Sequence, residues 1–380
     1  MGEHVKRKRI IVSVTNDLVT DNRVKRLCDM LSDMGYQVTF IGRKLPQSPT
    51  LSAEKYKMHR MKLWFHRHAI FYAEYNFRLF FYLMFHRADI LVSNDLDTLL
   101  ANFLASKVKG STLVYDSHEL FTEVPELEDN SFAKKTWLAL EKWIIPKLKY
   151  CITVNRSIAD IFQERYGVPF MVLRNMPYRY HPKIKKTRQE LGLPENKKII
   201  ILQGNGINVR RGAEEAVEAM KHLQIPSVLL IVGNGDVIPV LKATVAAENL
   251  SDRVIFKGRL PFDEMMQYTS NADLGITFDK GDNLNYLYSL PNKIFDYIQA
   301  EIPVLSSRLP ELERIINRYE IGGCIDSHHP EHIAQMLELC LTNEELRLKW
   351  HKNLSLAANV LCRENEEIEL KEMYGQFLRK

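Results

Sequence analysis

Three stretches in the second half of the chain set glycines or a proline where a strand-like run meets a helix, two of them with cations alongside. Gln203-Gly204-Asn205-Gly206-Ile207-Asn208-Val209-Arg210-Arg211-Gly212 follows the apolar run Lys198–Leu202 and opens a helix near Ala213. Val232-Gly233-Asn234-Gly235-Asp236 repeats the arrangement, and Ser289-Leu290-Pro291-Asn292-Lys293 precedes a helix over Ile294–Ala300. Glycines let main-chain amides approach an anion, a helix N-terminus adds partial positive charge, and Arg210 and Arg211 can bind phosphate oxygens bidentately. Pro291 suits a first helical turn, with Lys293 beside it. A single glycine loop is a common turn; three strand ends of this kind, two with cations, favour an anionic, nucleotide-type ligand. Asp296, one turn into the last helix, could accept hydrogen bonds from a ribose diol, or could simply be a first-turn acid that stabilises the helix dipole.

The first half offers a different set. After strand-like runs come Asn16, Asp17, Asp21 and Arg23; then Asn94 and Asp95; then Asp116-Ser117-His118-Glu119; and, further on, Arg174-Asn175. His118 lies just beyond Thr112–Tyr115, where a side chain would project from a strand end. A lone histidine is more often structural, but this one stands among acids where a sugar or a catalytic proton could sit. Two familiar chemistries lose ground. Thr15-Asn16-Asp17-Leu18 after the first strand has no glycine, Gly204 and Gly206 lack a third partner for GxGxxG, and no GxxxxGK[ST] occurs.

Positioning these groups takes a particular architecture. Strand-like runs (Arg9–Thr15, Tyr36–Ile41, Asp89–Ser93, Thr112–Asp116, Cys151–Val154, Lys198–Leu202, Ser227–Val232, Arg253–Phe256, Asp273–Thr277, Pro303–Ser306) are separated by segments of helical period, such as Asp21–Met34 before Gly35. That alternation predicts an α/β protein of parallel sheets covered on both faces by helices. Ligands of such sheets bind at the carboxyl ends of the strands. A Lys/Arg-rich stretch after Pro177 interrupts the series, so the expected division is residues 1–185 and 186–361. Residues 362–380 form a helix expected to pack back on the N-terminal domain; its acidic start and basic end (Arg379, Lys380) suit the helix dipole.

At 380 residues, with 46% hydrophobic and 26% charged residues, the chain suits two soluble globular domains rather than a disordered or fibrous protein. Five cysteines with no CxxC exclude the usual zinc spacings and a disulfide framework, which fits a cytoplasmic, reducing setting. The basic start Lys6-Arg7-Lys8-Arg9 leads into too short an apolar run for a secretory signal. The longest apolar run, Leu79 to Phe85, is far short of a membrane span. Residues 1–180 carry 27 Lys+Arg against 19 Asp+Glu, and residues 181–380 carry 25 against 28. The excess points to an anionic partner for the first half or to an unevenly solvated face.

Taken in order, these positions resemble a retaining GT-B glycosyltransferase of family 4 (glycosyl transferases group 1). The matching stretches are Asn16-Asp17…Asp21-Asn22-Arg23-Val24 with Gly35, Asn94-Asp95, Tyr115-Asp116-Ser117-His118-Glu119, Arg174-Asn175-Met176-Pro177, Arg211-Gly212, Val232-Gly233-Asn234-Gly235, and Leu290-Pro291-Asn292-Lys293-Ile294-Phe295-Asp296-Tyr297 ending at Pro303. The resemblance implies two Rossmann-like, doubly wound domains facing a central cleft. It implies a nucleotide-sugar donor on the C-terminal domain, a glycan or lipid-linked acceptor on the N-terminal one, no metal and no separate cofactor. His118, Arg211 and Asp296 then carry catalysis. The donor falls to Asn16, Gly204, Gly206, Arg210, Arg211, Gly233, Gly235, Tyr288, Leu290, Pro291, Asn292, Lys293 and Asp296. The acceptor falls to Asp21, Arg23, Asp95, His118, Glu119 and Asn175. Tyr288 stands where the family has the first Glu of its EX7E motif, with Asn285 nearby, and Glu301 replaces a family glycine. This departure keeps two alternatives open, a nucleotide-sugar epimerase of the same architecture and an inactive sugar-nucleotide-binding protein.

Residues 55–87 hold seven Lys/Arg, four His, eleven aromatics and one acid, Glu74. Such a segment can pack over a sheet, or it can lie in an anionic membrane interface, which would make the protein peripheral at the inner face of the membrane. No nucleic-acid-binding motif accompanies it.

Overall fold

The computed structural model describes residues 7–19, 21–128, 130–182 and 184–379. Lys6 and Lys380 lie outside them. The chain divides into two units. The first comprises residues up to Arg174 with Asn283–Asn285 and the chain from Glu367 onward; the second comprises Asn175–Asp282 and Tyr286–Glu366. The division thus falls at Arg174/Asn175, ahead of the boundary read near residue 185, and places Asn175 in the second unit.

In the first unit, β1 (Arg9–Ser13), β2 (Gln37–Arg43), β3 (Lys57–Met61), β4 (Ile90–Asn94), β5 (Thr112–Ser117), β6 (Tyr150–Thr153) and β7 (Met171–Val172) form one parallel sheet. Its order is β3-β2-β1-β4-β5-β6-β7. The order reverses between β1 and β4, which pair from Ile10–Ile90 to Ser13–Ser93. Alternation along β1 sends Ile10, Val12 and Val14 to one face with Val24, Leu27 and Leu31, and Ile11 to the other with Tyr75, Leu79 and Leu83. Helices on both faces leave the strand ends as the place where polar side chains gather. The helix Arg363–Arg379 lays Leu370, Tyr374 and Phe377 into the first of these clusters. Each fully buried side chain of this size contributes about 1.5–3 kcal/mol.

The second unit repeats the plan with β8 (Lys198–Gly204), β9 (Ser227–Gly233), β10 (Val254–Gly258), β11 (Leu274–Thr277), β12 (Val304–Ser307) and β13 (Gly322–Ile325) in the order β10-β9-β8-β11-β12-β13. Its reversal lies between β8 and β11, which pair through Ile200–Leu274 and Ile201–Gly275.

Ten of the thirteen strands match runs read from the sequence to within a residue or two at each end. β3, β7 and β13 do not. β3 is an edge strand, alternately exposed and sheltered, inside the aromatic-basic segment 55–87; the helix of that segment is His68–Phe85. The helix predicted over Asp21–Met34 is Asn22–Asp33, with the Asp21 carboxylate capping it through Val24 N at 3.1 Å. Gly35, at φ +94, carries the turn beyond it.

Candidate functional site

Each unit gathers charged side chains where its strand order reverses. In the first unit, the ends of β4 and β5 bring Asp95, Asp116 and His118 together, and the first turn of the helix Asn22–Asp33 adds Arg23. Asp116 and Arg23 are 2% and 7% exposed. Arg23 donates through Nη2 to Asp116 Oδ1 and through Nη1 to the Leu173 carbonyl, each at 2.8 Å. His118 sits between two acids. Its Nδ1 is 3.2 Å from Asp95 Oδ2, and its main-chain N–H donates to Asp95 Oδ1 at 2.7 Å. Its Nε2 lies 3.4 Å from Asp116 Oδ2, an ion-pair distance without hydrogen-bond alignment. Asp95 holds this position at φ +59, a conformation rarely adopted by a non-glycine residue.

The electrostatics follow from burial and proximity. Burial alone would lower the His118 pKa; the Asp95 and Asp116 carboxylates outweigh it and bring it to about 9. Burial likewise opposes ionisation of Asp116, yet Arg23 and His118 hold it well below the usual carboxylate range. Asp97, buried and near Asp95, rises to about 8 even though the Thr15 hydroxyl donates to it. Glu119 rises to about 7 through burial and Asp95, although Asn285 donates to it at 3.0 Å. At neutral pH this unit therefore holds a charged imidazolium with carboxyl groups poised to exchange protons. His118 is a hydrogen-bond donor there, not a base.

In the second unit the centre is a residue that sequence reading passed over. Asp279, two residues beyond β11 and 1% exposed, accepts from Arg211 Nη1 at 2.8 Å and from Thr277 Oγ1 at 2.7 Å. Lys293 Nζ lies 3.8 Å from Asp279 Oδ2, the oxygen that Thr277 also engages. Burial would raise the Asp279 pKa, but Lys293 and Arg211 outweigh it and lower it. The Tyr286 ring lies under the Arg211 guanidinium, 4.3 Å from ring centre to Cζ. Two cations on one buried carboxylate leave a net positive charge, held in place by that carboxylate and by the Tyr286 ring. Applying the strand-end rule to β11, as was done for its neighbours, would have found Asp279.

Asp296 stands in the first turn of the helix Lys293–Gln299 and accepts from Gln203 Nε2 at 3.1 Å; Gln203 is in turn held by the Thr269 hydroxyl at 2.6 Å. Pro291 and Asn292 cap the same helix start, their carbonyls accepting from Ile294 and Phe295. Leu290 and Tyr288 are half-buried in the segment leading into it.

The glycines divide in role. At Gly233, φ is +137 and a Cβ would come within 1.7 Å of the Gly204 carbonyl oxygen; at Gly235 it would come within 1.9 Å of the Ile207 carbonyl oxygen. These two residues allow loop to pack on loop. Gly204 and Gly206 face more open space, with the Lys293 side chain near Gly204. Arg210 turns to Asp282, Nε to Oδ2 at 3.3 Å, rather than to Asp279. In the first unit Asn16 is exposed in the loop after β1, and Asp21 serves as the helix cap.

Two family models match the chain, Glycosyltransferase Family 4 over residues 21–175 and Glycosyl transferases group 1 over residues 183–355. The 2-deoxystreptamine glucosyltransferase of Streptomyces kanamyceticus is 25% identical over 147 residues, a match spanning 36% of this chain and 38% of that protein's length. Sucrose-phosphate synthase from Thermosynechococcus elongatus superposes with a TM-score of 0.81 at 17% identity, covering 98% of this chain and all of that one. Anabaena HepE in complex with UDP-glucose superposes with a TM-score of 0.72 at 14% identity, covering 97% and 99%. At these identities the structural likeness establishes the fold. With the two family models in chain order over the two units, the chain belongs to the glycosyl transferases group 1 family and has the GT-B fold.

Proposed function

We propose that the protein transfers a sugar from a nucleoside-diphosphate sugar to a glycan or lipid-linked acceptor, with retention of anomeric configuration and without a metal. The observation that carries this reading is the Arg211–Asp279–Lys293 cluster beside the Gly204 loop. A glycosyl transfer from such a donor builds negative charge on the departing diphosphate, and cations fixed beforehand stabilise that charge most effectively. Arg211, oriented by Asp279 and Tyr286, and Lys293 are such cations. They supply the compensation that a divalent ion supplies elsewhere. Asp296, oriented by Gln203, is suited to accept from a ribose diol. HepE was solved with UDP and with UDP-glucose, which supports a nucleotide-sugar donor.

The first unit is assigned the acceptor. His118, protonated at neutral pH, donates to a sugar hydroxyl rather than removing its proton; that proton passes to the donor phosphate. The five free cysteines suit a reducing, cytoplasmic setting.

A thermal-stability screen of nucleoside diphosphates tests the reading. A binder at one hundred times its Kd should stabilise the protein by about 2.7 kcal/mol. Arg211→Ala should lose that gain and nearly all transfer while remaining folded. Absence of stabilisation by every nucleoside diphosphate, or normal turnover in Arg211→Ala, would remove the donor site from this cluster. Free epimerised sugar made without acceptor would move the assignment to an epimerase, and binding without any transfer to an inactive binding protein.

A further inference from the structure

The helix His68–Phe85 carries two apolar stripes where a helix on a sheet needs one. Phe71, Tyr75, Leu79 and Leu83, spaced four apart, are buried in the core beside Ile11, Ile41 and Leu91. At about 3.6 residues per turn, Ile70, Phe77, Phe81 and Phe85 fall on the opposite side. They are 50%, 66%, 42% and 83% exposed. The three phenylalanine rings form a continuous strip, with centroids 4.8 Å apart from Phe77 to Phe81 and 6.5 Å from Phe81 to Phe85. Trp64, 81% exposed, precedes the helix. It is fixed there because Glu74 accepts from its main-chain N–H at 3.0 Å and Arg78 lies 4.6 Å over its ring.

The charges around this strip have one sign. Glu74, the sole acid of residues 55–87, is engaged by Arg78 at 2.7 Å and by the Trp64 and Phe65 amides. Lys62, and Arg67 and Arg87 at the two ends of the helix, are exposed and pair with no acid among the described residues. An open groove of about 590 Å³ lies along the strip, with Lys62, Arg78 and His86 beside Phe77, Phe81 and Phe85. A second copy of this chain would bring the same cations against one another, which disfavours it as the occupant. Hydrocarbon beneath a layer of phosphates satisfies both the rings and the cations.

We propose that this face docks on an anionic lipid bilayer. The helix, about 27 Å long at 1.5 Å per residue, lies in the interface plane. Its phenylalanines and Trp64 sit below the phosphates, and Lys62, Arg67 and Arg87 sit at their level. No described helix is long and apolar enough to cross a membrane. The proposal is independent of the donor assignment, which concerns the second unit.

The test is flotation of the full chain with vesicles of phosphatidylcholine alone and of phosphatidylcholine mixed with phosphatidylglycerol, at low and high salt. Binding is expected to the mixed vesicles and to weaken with salt. Lys62→Gln with Arg87→Gln should reduce partitioning about 30-fold, and Phe81→Ser with Phe85→Ser should abolish what survives high salt. Brominated acyl chains should quench the fluorescence of the unmodified protein more than that of Trp64→Phe, a readout of depth that needs no destabilising change. Nucleoside-diphosphate stabilisation should be unchanged in all these variants. No binding to the mixed vesicles, equal binding to both kinds, or a dimer in lipid-free solution that the phenylalanine substitutions dissolve would overturn the proposal.

Discussion

His118 is held as a cation by its surroundings, and that has a measurable sign. Its folded pKa is about 9, against a usual 6.5, so between those values the native state keeps a proton the unfolded chain has lost. The stabilisation is complete below about pH 6.5 and disappears as pH rises through about 9. Urea midpoints of the parent protein should therefore fall more steeply over this window than those of His118→Gln; parallel curves would show that the imidazolium is not held by Asp95 and Asp116. The residues of this cluster were legible because they follow apolar strands directly. Asp279 was missed although it obeys the same rule. Nothing in the local run Thr277-Phe278-Asp279 marks a carboxylate as the anchor for Arg211 and Lys293, which lie 68 and 14 positions away. Such convergence is a property of the sheet order, not of spacing along the chain.

At the scale of the element, the β8 and β9 ends form one unit. Gly204 pairs with Gly233, and the Gly204 carbonyl occupies the space a Cβ on residue 233 would need. Gly233→Ala must push the two loops apart, and overpacking of this kind costs about 1–3 kcal/mol. Because the displaced loop carries Gly204 and leads to Arg211, the variant should lose nucleoside-diphosphate stabilisation along with thermal stability. Retention of both would mean the loops move independently. The sequence reading of these glycines looked to an anion; at residues 233 and 235 the nearer reason is backbone against backbone. Strands with β-branched or continuous apolar runs were easy to find. Edge strands such as Lys57–Met61 were not, because half their positions face water and a Lys/Arg-rich alternation of five residues reads equally well as helix.

At the scale of the whole molecule, two doubly wound units were legible from the alternation of strand-like and helix-like segments and from the interruption after Pro177. The exact division was not, because the first unit is not one continuous stretch. Leu370, Tyr374 and Phe377 are 0%, 0% and 4% exposed, buried with residues of β1, β2 and β4. Leu370→Ala should destabilise the protein by about 2–5 kcal/mol in urea unfolding. A loss below about 1 kcal/mol would mean that the closing helix is peripheral to that core. This arrangement also orders events during synthesis. Domains fold largely as units while the chain emerges from the ribosome. The second unit is fully translated by Glu366, whereas the first must wait for Phe377, although its long first stretch ended at Arg174, about two hundred residues earlier. Throughout that interval the face of Ile10, Val38 and Ile90 lacks the part of its cover that Leu370, Tyr374 and Phe377 supply, so the nascent chain should be a client of holding chaperones until Phe377 is made.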